Sequence, residues 1–301
     1  MSPGESVRRL GSVFDLAAEA YDAVRPSYPP SLIDLTIERG DLAAGSRVLE
    51  VGCGTGKLTE LLLERGLRVD AVDPGANMIA IAQQRVGQTP AVTFHPGRFE
   101  DVELPQQPFD AVFSATAFHW VDPAVGWAKA AAHLKAGGLL ALLSHVIRRD
   151  EQSRAIQDEF LAVLRRQAPE VAAEWRQPAK FDAVLAGVAE RRGNVSELWD
   201  WLMQGGLRRP DMAVAEAARL FEEVEVASEA YTVDETADEL IALLRTTSLY
   251  HRIDPARREA FEEDHRRVVE RLGGKVRSSL AVVLMTARRS PLDERLQPTL
   301  A

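Results

Sequence analysis

Residues 48–56 read Val-Leu-Glu-Val-Gly-Cys-Gly-Thr-Gly, and a helix-forming stretch, Lys-Leu-Thr-Glu-Leu-Leu-Leu-Glu-Arg at 57–65, follows with no linker. An apolar run that enters a turn of three alternating glycines and leaves as a helix has few folded solutions. The turn needs backbone with positive φ and room for a close neighbour, and only glycine supplies both without strain. The helix behind it opens with unpaired N–H groups. This is the strand–turn–helix unit of a parallel α/β sheet.

The rest of the first half repeats the unit. Further β-like runs lie at 67–72, 91–95, 109–114 and 139–144, mostly continuous rather than alternating, as expected of strands buried on both faces. Helices are predicted over 57–65, 77–86 and 124–134, the last opened by Asp122 as N-cap and Pro123 in its first turn and ended by Gly137-Gly138. From residue 148 to about 215 the chain reads as helical and carries Trp175, Trp199 and Trp201. A sixth strand is expected at 221–233, helices at 236–245 and 255–272, and a last strand at 280–287.

Composition narrows the function classes. Lys+Arg is 36 and Asp+Glu is 45, so 36 − 45 gives the formal charge of −9. An acidic chain without a basic block suits neither duplex DNA nor an anionic membrane surface. The lone cysteine, Cys53, excludes an intrachain disulfide and points to a reducing, cytoplasmic setting. No apolar stretch is long enough to span a bilayer, and no metal-ligand spacing stands out. The expectation is a soluble monomer or homodimer acting on a small molecule.

Two acids sharpen the glycine turn. Glu50 stands two residues before the first glycine, where a bound pyrophosphate would be repelled and a cationic group welcomed. Asp73 ends the second strand, where a carboxylate can take two ribose hydroxyls. The glycines also miss the G-x-G-x-x-G spacing of a dinucleotide site, which counts against a nicotinamide oxidoreductase as the alternative. A catalytically silent binder is the other alternative.

With Glu50, Gly52, Gly54, Gly56 and Asp73 in place, the chain resembles the class I S-adenosylmethionine-dependent methyltransferases. It looks most like their small-molecule type 11 branch, which includes trans-aconitate-type enzymes. Arg25-Pro26-Ser27-Tyr28-Pro29, Gly97-Arg98-Phe99-Glu100 and Ala117-Phe118-His119-Trp120 add to the likeness. The resemblance implies a Rossmann-like seven-stranded, mostly parallel sheet of order 3-2-1-4-5-7-6. Its last strand is antiparallel, helices cover both faces, and a helical lid is inserted. It implies one domain over 1–301: an N-terminal arm (1–40), a cofactor-binding half (41–147), a lid (148–215) and a completing segment (216–290). It implies S-adenosyl-L-methionine as cofactor, lined by Glu50, Gly52, Cys53, Gly54, Gly56, Asp73, Pro74, Met78, Arg98, Phe99, Glu100 and Ser114. Relatives often carry an acid where this chain has Arg98, so the adenine contact is expected from the Phe99 backbone N–H, with Glu100 or Asp101 nearby. Tyr21, Arg25, Tyr28, Trp120 and His145 are expected on the acceptor. His119, at the end of the fourth strand, is expected to be the base for a hydroxyl acceptor, titrating near the ordinary histidine value.

Overall fold

The computed structural model describes residues 15, 17–148, 151–174, 179–204 and 214–291. Seven strands form one sheet of order β3-β2-β1-β4-β5-β7-β6. They are β1 (Arg47–Val51), β2 (Arg68–Asp73), β3 (Val92–Pro96), β4 (Phe109–Ala115), β5 (Leu134–Ile147), β6 (Phe221–Glu235) and β7 (Val276–Arg289). The first five run parallel, and β7 lies antiparallel between β5 and β6.

Continuous apolar strands bury both faces. Val48, Phe113 and Leu143 pack under Ile33, Leu58 and Leu62 on one side. Leu49, Val112 and Leu142 pack under Trp127, Leu198 and Trp199 on the other. The local signals behave as their chemistry requires. Asp122 accepts from Ala124 N–H and Pro123 opens the helix Pro123–His133. Thr236 and Glu239 form a reciprocal cap on Ala237–Arg245.

Some boundaries differ from the sequence expectation. The last strand begins at Val276, four residues before the expected start, and β5 starts at Leu134 and runs straight through Gly137-Gly138, where the sequence predicts a helix stop. Gly137 adopts φ +72° and the β4–β5 register shifts between Phe109 and Ala111, so the glycines serve a bulge within the strand.

The described parts of the segment expected as a lid are helical. The helix Glu151–Gln167 packs with Arg258–Arg271, and Val195–Met203 packs on the sheet. Trp199 is core, and Trp201 lies beneath the Arg191 guanidinium at 3.8 Å. Trp175 lies outside the described residues. Among the described residues no helix is long and apolar enough to cross a membrane.

Candidate active site

The C-terminal ends of β1, β2, β4 and β5 open onto a cavity of about 480 Å³. At an open sheet's carboxyl edge, adjacent to a switch in strand order, ligands are expected.

The glycine turn forms one wall. Gly52, Gly54 and Gly56 all have positive φ, +74°, +53° and +81°. Each serves a different need. A Cβ on Gly52 would sit 2.3 Å from Ala117 Cβ, and one on Gly56 would sit 2.9 Å from Ala82 Cβ. A Cβ on Gly54 would meet nothing within 4 Å. Gly52 and Gly56 are therefore glycine for packing, and Gly54 keeps the cavity open. Gly56 does not line it. Ser114 is also placed behind the wall: it is fully buried, and its hydroxyl donates to Val51 O at 2.7 Å, tying β4 to β1.

Asp73 is set by the turn. Its Oδ2 accepts from Gly54 N–H and its Oδ1 from Gly75 N–H, both at 2.8 Å. Each oxygen retains a lone pair for a ligand. Burial raises its pKa despite those two bonds. Glu50 is almost wholly buried, and Thr59 donates to its Oε2 at 2.6 Å. Burial, with Asp73 adding a like charge, pushes Glu50 up to about 8. A buried carboxyl of this kind holds its proton until a cation arrives.

Past β3, Arg98 donates to Glu100 Oε1 at 2.6 Å, and Asp122 N–H donates to the same oxygen at 2.9 Å. The unexpected arginine is thus paired with the acid two residues on, which it and Asp122 hold in the ionised form despite partial burial. Lys129 steadies the loop by donating to Glu100 O and Val102 O.

The opposite end of the cavity has a different character. Arg25 donates to Thr246 Oγ1 and Thr246 O, each at 3.0 Å, and stacks on Tyr21. Tyr28 is hydrogen-bonded to Thr116 Oγ1 at 3.0 Å and packs against His145 at 5.0 Å between ring centroids. His145 Nδ1 meets Tyr231 Oη at 2.8 Å. Burial, reinforced by the Arg25 charge, pushes His119 and His145 down to about 4. His119 therefore does not titrate near the ordinary value expected from sequence. Both imidazoles are neutral, and His119 Nδ1 and His145 Nε2 are buried without partners. Glu50 and Asp73 stand at the glycine turn, and the same cavity holds Arg25, hydroxyls and two neutral imidazoles.

All expected site residues other than Gly56, Ser114 and Asp101 line this one cavity. Sequence reasoning missed Asp15, Lys57, Thr116, Thr247 and Ser248, which also line it. Asp15 caps the helix Ala76–Val86 by accepting from Asn77 N–H at 2.8 Å, and Lys57 pairs with Asp22 at 3.2 Å. The described residues within 148–215 do not line the cavity. Among the described residues, Tyr21 of the N-terminal helix Ala18–Val24, Arg25, Pro26 and Tyr28 after it, and Thr247 and Ser248 line it instead.

The chain is similar to known methyltransferases over part of its length. Residues 48–138 match the family described as Methyltransferase domain. An uncharacterized methyltransferase of Mycobacterium tuberculosis is 43% identical over 147 residues, 49% of this chain and 57% of the relative. A malonyl-acyl-carrier-protein O-methyltransferase of Bacillus cereus is 38% identical over 114 residues, 36% of this chain and 42% of the relative. The chain thus spans between 42% and 57% of the length of these curated relatives. A solved candidate type II methyltransferase from Anaeromyxobacter dehalogenans shares the fold, with a TM-score of 0.53 at 23% identity, covering 89% of this chain and 99% of that one.

Proposed function

We propose that this chain, whose residues 48–138 match a methyltransferase domain, transfers a methyl group from S-adenosyl-L-methionine to an oxygen of a small-molecule acceptor. The observation that carries this reading is the arrangement of the glycine turn. A buried glutamate that holds its proton and an oriented aspartate flank an open glycine, in one cavity with Arg25 and two neutral imidazoles.

The residues present fit such a cofactor. Glu50 would meet its ammonium group, Asp73 its ribose hydroxyls, and the Phe99–Glu100 loop its adenine. Gly54 leaves the space that its backbone needs. When bound, it supplies an electrophilic methyl on a sulfonium. The chain's own contribution is then to position the acceptor and exclude water. Arg25, carrying charge beside His119 and His145, would orient an acceptor oxygen. His119, neutral and next to Trp120, is the proposed proton acceptor for a hydroxyl. The Bacillus cereus relative, named an O-methyltransferase, supports oxygen over nitrogen or carbon.

The test is calorimetry with S-adenosylhomocysteine and with NAD on the full chain, followed by incubation with methyl-labelled S-adenosylmethionine and a panel of hydroxy and carboxylic acids. Binding of S-adenosylhomocysteine with transfer of label to an oxygen is the expected result. Binding of NAD instead would replace this reading with the oxidoreductase one.

A further inference from the structure

The end of β4 holds a backbone conformation that its residue type resists. Thr116 has φ +54°, a left-handed geometry in which a β-branched side chain crowds its own backbone. Among the described residues only Asp41 and Glu223 share positive φ without being glycine, and neither lines the cavity. A strained residue at a ligand cavity points from geometry to function.

The strain has two visible consequences. Thr116 N–H still donates to Leu143 O at 2.8 Å, so the strand ends in register and reverses immediately. That reversal lays Ala117 over the glycine turn, so closely that Gly52 has no room for a side chain. It also sets Thr116 Oγ1 3.0 Å from Tyr28 Oη, with the phenol packed on His145. Glycine or asparagine would make the same reversal at less cost, but neither would place a hydroxyl there. Burial raises the Tyr28 pKa and keeps its phenol neutral, so the pair shares one hydrogen bond and has a second proton to give.

We propose that Thr116 is an acceptor-positioning residue, whose strained turn holds its hydroxyl, paired with Tyr28, at the junction of the glycine turn and the Arg25–His119–His145 end, where the pair donates to an oxygen of the acceptor. The inference rests on the methyl-transfer reading and adds to it the group that fixes the acceptor oxygen relative to the cofactor. The ligand chemistry is an oxygen borne by a phenol or a carboxylate.

The experiment uses the full chain saturated with S-adenosylhomocysteine, with phenol and sodium acetate as separate probes and threonine and alanine methyl resonances as reporters. Wild type should show a saturable shift at Thr116 with one of the two probes, and which one identifies the class. Thr116→Val keeps the branched shape and removes the hydroxyl. It should weaken that probe by about fivefold or more, the value of one net hydrogen bond, read at Ala117, while S-adenosylhomocysteine affinity is unchanged. Tyr28→Phe should do the same. Thr116→Gly releases the strain, so its Tm should hold or rise while probe binding weakens equally. No saturable shift in wild type, or unchanged probe binding in Thr116→Val and Tyr28→Phe, overturns the proposal. A Tm loss of about 4 °C or more in Thr116→Gly also overturns it, since the turn would then serve folding. Failure of S-adenosylhomocysteine to bind wild type would instead sink the parent reading.

Discussion

Glu50 gives the most quantitative handle on the site. Its carboxyl titrates at about 8 in the folded chain against an ordinary value of 4.5, because burial disfavours the anion and Asp73 adds repulsion that the Thr59 hydroxyl only partly offsets. A shift of about 3.5 units corresponds to about 5 kcal/mol between the two protonation states. The sign follows from linkage. A folded pKa above the unfolded one favours folding fully below pH 4.5, and that contribution is lost as pH rises through 8. Between pH 6 and pH 9 the loss amounts to about 2.5 kcal/mol, or roughly 5–10 °C in Tm. Glu50→Gln keeps the shape and the Thr59 contact but cannot ionise. The wild-type Tm, measured without ligand, should therefore fall relative to that of Glu50→Gln across this range. The same group predicts what a cationic ligand does. At pH 7 the ligand binds the carboxylate form, so S-adenosylhomocysteine binding should release most of one proton. Calorimetry in phosphate and in Tris, whose ionisation enthalpies differ, reads that proton directly. Equal enthalpies in the two buffers, together with parallel pH–Tm curves for wild type and Glu50→Gln, would refute the assignment of a protonated Glu50 facing a cation.

Three further outcomes are expected. Asp73→Asn should weaken S-adenosylhomocysteine by about 10–100-fold in calorimetry, the usual cost of charge-assisted hydrogen bonds; unchanged affinity would remove Asp73 from the ligand. Gly54→Val meets open space but carries the strain of positive φ, so it should lower Tm modestly and bind poorly, whereas Gly52→Val, strained likewise and with Ala117 Cβ in its way, should lower Tm further; equal Tm values for the two would contradict the separate roles given to these glycines. His119, lowered to about 4, contributes stability present above pH 6.5 and lost as pH falls toward 4, so His119→Gln should flatten the acid limb of the Tm profile by between about 2 and 3 kcal/mol; an unaltered limb would mean that His119 is not held neutral by burial.

What could be read from the chain in advance, and what could not, follows from the range of each interaction. The glycine turn is local: residues 50–57 contain both the acid and the positive-φ positions, and Asp73 answers Gly54 from the next strand in the same unit. Capping is equally local, as Asp122 and Thr236 show. Gly137-Gly138 misled because a glycine pair after a helix ends it in most contexts, and only the partner strand's bulge converts it to strand interior. Thr116 carries no signal at all, since threonine is a poor choice for its own backbone angle and the reason lies in Gly52, Tyr28 and the cavity.

The N-terminal lining of the cavity shows the same limit more sharply. Arg25 is separated by 221 residues from Thr246, yet those two join the N-terminal helix to the loop before Ser248. Three residues earlier, Asp22 receives Arg85 and Lys57 from the glycine-turn side. One short helix, Ala18–Val24, with the residue after it, is thus held toward the glycine turn by ion pairs and toward Thr246 by charge-assisted hydrogen bonds from the Arg25 guanidinium. Each contact sets a guanidinium or ammonium on an acceptor oxygen, so both ends of the helix are anchored by charge across long sequence separations, in contacts that no local pattern of residues encodes.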